Sequence, residues 1–113
     1  MLLYEYVDVR GKGVLSVCRE GLQKIQQAKF DEKLRVLANM GEGMPGFIVG
    51  PLPGKARHLY KAKLKGNVAL RLLLCKGPLD AAGEMTFLAD FVEKDRASIP
   101  RALLEMAESR RQE

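Results

Sequence analysis

Tryptophan is absent from this chain of 113 residues, histidine occurs once and cysteine twice. His58 with the distant Cys18 and Cys75 is too sparse a ligand set for a zinc site, so no metal or other cofactor is expected. The two thiols read as buried side chains of a reducing compartment rather than as a disulfide. Long apolar runs are missing too. The longest is about four residues, Leu72 to Cys75, against the ~20 that span a bilayer. Glu5 and Asp8 stand where a signal peptide would continue its apolar core, and no basic start precedes them. These absences exclude metalloenzyme and membrane classes and lead us to expect a cytoplasmic protein with no membrane partner.

One further absence is local. Between Glu42 and Asp80 there is no acidic residue, while Lys55, Arg57, Lys61, Lys63, Lys65, Arg71 and Lys76 all fall there. Those seven cations exceed the net charge of +5, so the rest of the chain is slightly acidic. A basic window on a near-neutral body points to a polyanion partner, and nucleic acid is the first candidate.

The length suits one domain over 1–113 with a single core. Tyr4 to Val9 alternates and is rich in β formers, which predicts a first strand. Gly11 and Gly13 end it. Val14, Val17, Cys18, Leu22 and Ile25 recur at helical spacing, and Phe30, Leu34, Leu37 and Ala38 continue the pattern to a stop at Gly41. The reading is a helical hairpin broken near Ala28–Lys29. Residues 41–56 hold five glycines and three prolines and predict a loop, its middle pinned to the core by Phe47, Ile48 and Val49. Gly41-Glu-Gly43-Met-Pro-Gly46 matches a dinucleotide fingerprint in letters but lacks the preceding strand and following helix. Gly54-Lys55-Ala56 lacks the hydroxyl residue of a P-loop.

From His58 the period becomes two, predicting strands near 58–65, 68–75 and 84–92 as an antiparallel meander. Ser98 as N-cap and Pro100 in the first turn open a last helix with Ala102, Leu103, Met106 and Ala107 as its apolar stripe. The fold class is therefore α+β in the order β-α-α-β-β-β-α, with helices on an antiparallel sheet.

Alternation places Leu59, Lys61, Lys63 and Lys65 on one strand face, opposite His58, Tyr60, Ala62 and Leu64. A two-residue turn at Gly66-Asn67 would pair 62 with 71 and mix lysines with the leucine face of the next strand. A three-residue turn, Gly66-Asn67-Val68, or an equivalent bulge, pairs 63 with 71 and keeps the faces consistent, so burial selects that register. Lys63 is then expected beside Arg71. On the third strand Met85, Phe87, Ala89 and Phe91 read as the core set, with Thr86, Asp90 and Lys94 toward the basic face. His58 and Tyr60 read as core-facing, which leaves base stacking without an aromatic.

Leu59-Tyr-Lys-Ala-Lys-Leu-Lys65, then Arg71, then Phe91-Val-Glu-Lys94-Asp before a helix opened by proline, resembles the RelE/ParE toxin superfamily, most closely its HigB-like, phage-derived branch. The resemblance implies a RelE-like fold and the toxin of a type II toxin–antitoxin pair. It further implies ribosome-dependent mRNA cleavage by 2′-OH attack on the adjacent phosphate, without a metal. On that likeness Lys61 and Lys63 are the base or phosphate contacts, Arg71 stabilises transition-state charge, and Lys94 stands where the family has a later arginine. Lys55, Arg57, Lys65 and Lys76 would be phosphate-steering cations. The implied partners are mRNA on the ribosome and a cognate antitoxin, either a helix-turn-helix protein or a partly disordered acidic one. The tyrosine of the RelE final helix and the histidines of HigB have no counterpart here. The alternative is a non-catalytic nucleic-acid binder or a ParE-like gyrase inhibitor.

Overall fold

The computed structural model describes residues 2–39, 46–64, 70–77, 83–92 and 99–112. Strand β1 spans Leu2–Glu5, helix α1 Val14–Glu20 and helix α2 Lys24–Asn39. A short strand β2, Ile48–Val49, and a 3-10 turn, Gly54–Ala56, precede β3 at Tyr60–Leu64. Then come β4 at Leu70–Lys76, β5 at Glu84–Val92 and helix α3 at Arg101–Arg111. The sheet order is β1-β5-β4-β3-β2. The class is α+β, and the sheet is mixed rather than antiparallel, because β1 runs parallel to β5. The helical hairpin between β1 and the meander carries the chain across the sheet, so β1 enters beside β5 in the same direction. No helix among the described residues is long and apolar enough to cross a membrane.

The first strand is Leu2–Glu5 rather than Tyr4–Val9, so it starts earlier than its β-rich sequence suggests and ends before Tyr6. The Asp8 carboxylate accepts the backbone N–H groups of Arg10 and Lys12 at 2.8 and 2.9 Å, and Gly11 turns the chain at φ 78°. That local turn captures residues 8–12 before they can pair. The hairpin is present, but its break lies at Gly21 rather than near Ala28–Lys29. Gly21 N–H bonds back to Cys18 O, and Leu22 N–H to Arg19 O, closing α1 with tight turns. Glycine is the weakest helix former after proline, and here it outweighs the apolar periodicity. Val17 and Ile25, two members of that periodic stripe, are exposed. Arg19 grips Asp31 across the two helices with two 2.9 Å bonds. The guanidinium holds the Asp31 carboxyl below its ordinary range.

The middle of the 46–56 segment is pinned as expected. Ile48 is buried, Phe47 packs on the core, and β2 pairs antiparallel with β3 through Ile48–Ala62 and Val49–Lys61. Of the Gly41–Gly46 stretch only Gly46 is among the described residues. Ser98 lies outside them, and the N-cap of α3 is Pro100.

Both faces of the sheet carry a core. On one, the hairpin residues Val14, Cys18, Phe30 and Leu37 meet Ala62, Leu70, Leu72, Leu74, Met85 and Phe87. On the other, α3 lays Leu103, Leu104 and Ala107 over Leu59, Leu73, Cys75, Leu88 and Ala89. The α3 stripe is thus rotated from expectation, and Ala102 and Met106 face outward. Strand β4 is buried on both sides, which is why Leu72-Leu-Leu-Cys75 reads as a continuous apolar run.

A β-bulge lies in β5. Leu72 and Leu73 pair with Asp90 and Ala89, but Leu74 and Cys75 pair with Phe87 and Thr86, leaving Leu88 as the extra residue. Leu88 and Ala89 therefore both fall on the α3 side. Arg110 donates from Nη1 to the Leu88 carbonyl at 2.7 Å, and its guanidinium lies 4.5 Å from the Tyr6 ring centroid.

Arg110→Ala is expected to lower unfolding free energy by about 1.5–3 kcal/mol, the range for a hydrogen bond to a charged group. Arg101→Ala, which removes an exposed pair with Glu105, should change it by less than about 0.5 kcal/mol. Urea titrations of the two variants check this. Both cysteines are free and buried, as expected. Burial and the nearby Asp90 carboxylate push the Cys18 thiol up to about 12, and burial also raises Cys75. Neither thiol should react with iodoacetamide at pH 8 until denaturant is added, as read by mass spectrometry.

Candidate nucleic-acid interface

The β3–β4 register is the one that burial demands. Lys63 pairs with Arg71, Lys61 with Leu73 and Ala62 with Leu72. Leu73 belongs to the α3-side core and Leu72 to the hairpin-side core. Lys61, Lys63 and Arg71 therefore share the α3 face of the sheet, with Leu59 as its buried floor. The turn at Gly66-Asn67-Val68 lies outside the described residues, as do Lys65 and Lys94.

Lys63 is exposed, and Lys61 and Arg71 are half-buried. Arg71 Nη1 donates to the Leu70 carbonyl at 3.0 Å, which holds the guanidinium near its own strand. Neighbouring strands lie ~4.8 Å apart, so Lys63 and Arg71 present adjacent cations at a spacing one phosphate can bridge.

The remaining expected cations are scattered. Arg57 is exposed in the turn after the 3-10 segment, and the backbone of Lys55 lies within that segment. Lys76 leaves the basic face: its Nζ stands 5.4 Å from the ring centroid of Tyr60. Tyr60 packs on the hairpin-side core, as alternation predicts. Lys76 pairs with Met85 of that same core.

Three expectations for this face are overturned. Asp90 pairs with Leu72 and so turns to the hairpin side, where it lies by Cys18 rather than among the lysines. The bulge at Leu88 is the cause, since one extra residue inverts every side chain beyond it. For the same reason Phe91, expected in the hairpin-side core, stands directly across from Arg71 on the basic face. His58 is exposed in a turn rather than core-facing, because the Leu59 N–H bonds to Ala56 O and delays the strand to Tyr60.

The resulting row across β3, β4 and β5 is Lys63, Arg71, Phe91. Among the described residues it holds no carboxylate or imidazole. Such a row can bind and neutralise a phosphate, and any proton transfer within it falls to lysine. Away from it, Glu108 pairs with Arg111 beside a cavity of about 440 Å³ floored by Ala56, Leu59 and Leu104. Hydrogen bonds from Arg111 hold the Glu108 carboxyl below its ordinary range, consistent with a structural ion pair. Among the described residues no three His, Cys, Asp or Glu side chains group as metal ligands.

Lys63→Ala is expected to weaken binding of single-stranded RNA and to reduce the slope of log K against log salt by about 0.7 for each phosphate it no longer neutralises. Lys76→Ala, on the other face, should leave both nearly unchanged. Anisotropy titrations from low to moderate salt separate the two.

No protein-family model matches the chain, and no curated protein matches it in sequence.

Proposed function

We propose that this protein is a RelE/HigB-like toxin of a type II toxin–antitoxin pair, acting as a ribosome-dependent mRNA endoribonuclease. One observation carries the reading: Lys63 stands directly across from Arg71, with Lys61 two residues along the same face. Attack by a ribose 2′-oxygen on the adjacent phosphorus forms one P–O bond and breaks the bond to the 5′-oxygen. The 2′-OH proton must leave and the 5′-oxygen must gain one, while negative charge builds on the non-bridging oxygens. Lys61 or Lys63, as the neutral amine, takes the 2′-OH proton, and solvent water gives one to the departing 5′-oxygen; the other lysine and Arg71 stabilise the developing charge, and Lys94 adds a second phosphate contact. Arg57, Lys55 and Lys65 steer the polyanion. A cognate antitoxin would mask the basic face with acidic, partly disordered segments.

A second reading, a non-catalytic nucleic-acid binder or ParE-like gyrase inhibitor, is favoured by the position of Asp90. It faces the hairpin, and the chain's single histidine sits in an exposed turn.

Induction without antitoxin, followed by mapping of mRNA 5′ ends on ribosomes, should show codon-positioned cuts. Lys63→Ala should reduce them by roughly 100-fold or more and restore growth. Absence of cuts with equal growth of both proteins overturns the nuclease reading. Gyrase inhibition in vitro without RNA cleavage selects the second.

A further inference from the structure

The seven aromatic side chains of this chain are not equivalent. Phe30 and Phe87 are buried in the hairpin-side core. Phe47 packs on the same core beneath Lys33, whose Nζ is 4.7 Å from the ring centroid. Tyr4 donates its hydroxyl to Glu84 at 2.9 Å, Tyr6 lies under the Arg110 guanidinium, and Tyr60 lies by Lys76 on the hairpin side. Phe91 is the remaining one. It is half-buried where Phe87 is 1% exposed, and its cross-strand neighbour is Arg71.

That position is a product of the bulge. Without the extra Leu88, residue 91 would fall on the hairpin side with Leu70 and Leu72, and Asp90 would face the cations. With it, the ring stands at the upper margin of the α3-side core, one end supported by that core. Phe91 pairs across the strands with Arg71, and Lys63 follows one strand further. A core aromatic needs apolar neighbours all round, whereas this one is half-buried, packs on the α3-side core and shares its cross-strand row with Arg71 and Lys63.

We infer that Phe91 is a base-stacking platform for single-stranded RNA, seating the nucleobase next to the phosphate held by Lys63 and Arg71. The separation fits: one strand spacing, ~4.8 Å, divides the ring's strand from the guanidinium's, comparable with the reach from a phosphate to its own base. Stacking on one ring accepts any base, because every base has a π face. Phe91 is then a positioning residue: it fixes where along the strand the phosphate sits, without fixing which base is chosen. The inference rests on the basic face being an RNA site, and it requires no cleavage.

Because the chain has no tryptophan, Phe91→Trp installs a single reporter at the site. Its emission should be quenched by a short unstructured RNA oligonucleotide and not by an abasic ribose-phosphate oligomer of equal length. Phe91→Leu, which keeps an apolar side chain at the core margin, should weaken RNA binding about tenfold or more while leaving abasic binding unchanged. Equal quenching by both oligomers, no quenching by either, or unaltered RNA affinity in Phe91→Leu overturns the inference. RNA binding that responds to Lys63→Ala but not to Phe91→Leu overturns it alone and leaves the phosphate site standing. Base-dependent quenching in a protein that makes no cuts on ribosomes supports the platform and removes the nuclease.

Discussion

Strand β4 is the constraint from which the rest of the structure takes its place. Leu72, Leu73 and Leu74 are all fully buried, so both faces of this strand must be covered and neither can be traded for the other. The helical hairpin covers the Leu72 and Leu74 side, and α3 covers the Leu73 and Cys75 side. A slip of one residue in either neighbouring strand would carry charge into one of these layers, at a cost of several kcal/mol for an unpaired ion. Register is therefore fixed on both sides of β4, and the basic face follows from it.

That face exists because α3 does not cover the whole of its side. The helix lies over Leu59, Leu73, Leu88 and Ala89, and the row beyond them is Lys63, Arg71 and Phe91. Packing and binding surfaces are thus continuous: the leucines that anchor α3 are the next residues along the strands that aim the cations. The bulge at Leu88 then decides which β5 side chains join the row. It sends the Asp90 carboxylate to the hairpin side and brings an aromatic ring to the cationic one, and Arg110 holds the bulge carbonyl in place.

Much of this is legible in the residues themselves. The pairing of Lys63 with Arg71 follows from alternation alone, since only one register keeps lysines away from leucines. The two buried thiols, the pinned middle of the glycine- and proline-rich segment and the helical hairpin follow from local chemistry as well. The position of the hairpin's break does not, because a helical stripe runs on through Gly21, where the backbone cost of glycine prevails over periodicity. Nor does the place of His58, because a tight turn at Ala56–Leu59 competes with strand pairing and leaves no mark in the pattern of two. The parallel entry of β1 is a matter of which edge the hairpin leads to, and no residue of β1 encodes it.

What the sequence determined by itself is the acid-free basic window, the alternation that gathers Lys61, Lys63 and Arg71 on one face, and the absence of any aromatic-rich motif beside them. Tertiary structure alone decided that Asp90 leaves this face and Phe91 joins it. The reason is physical: a bulge is a defect in pairing between two strands, stabilised here by an arginine from a distant helix. Side-chain direction beyond it depends on a count of residues in the ladder, which neither strand carries on its own.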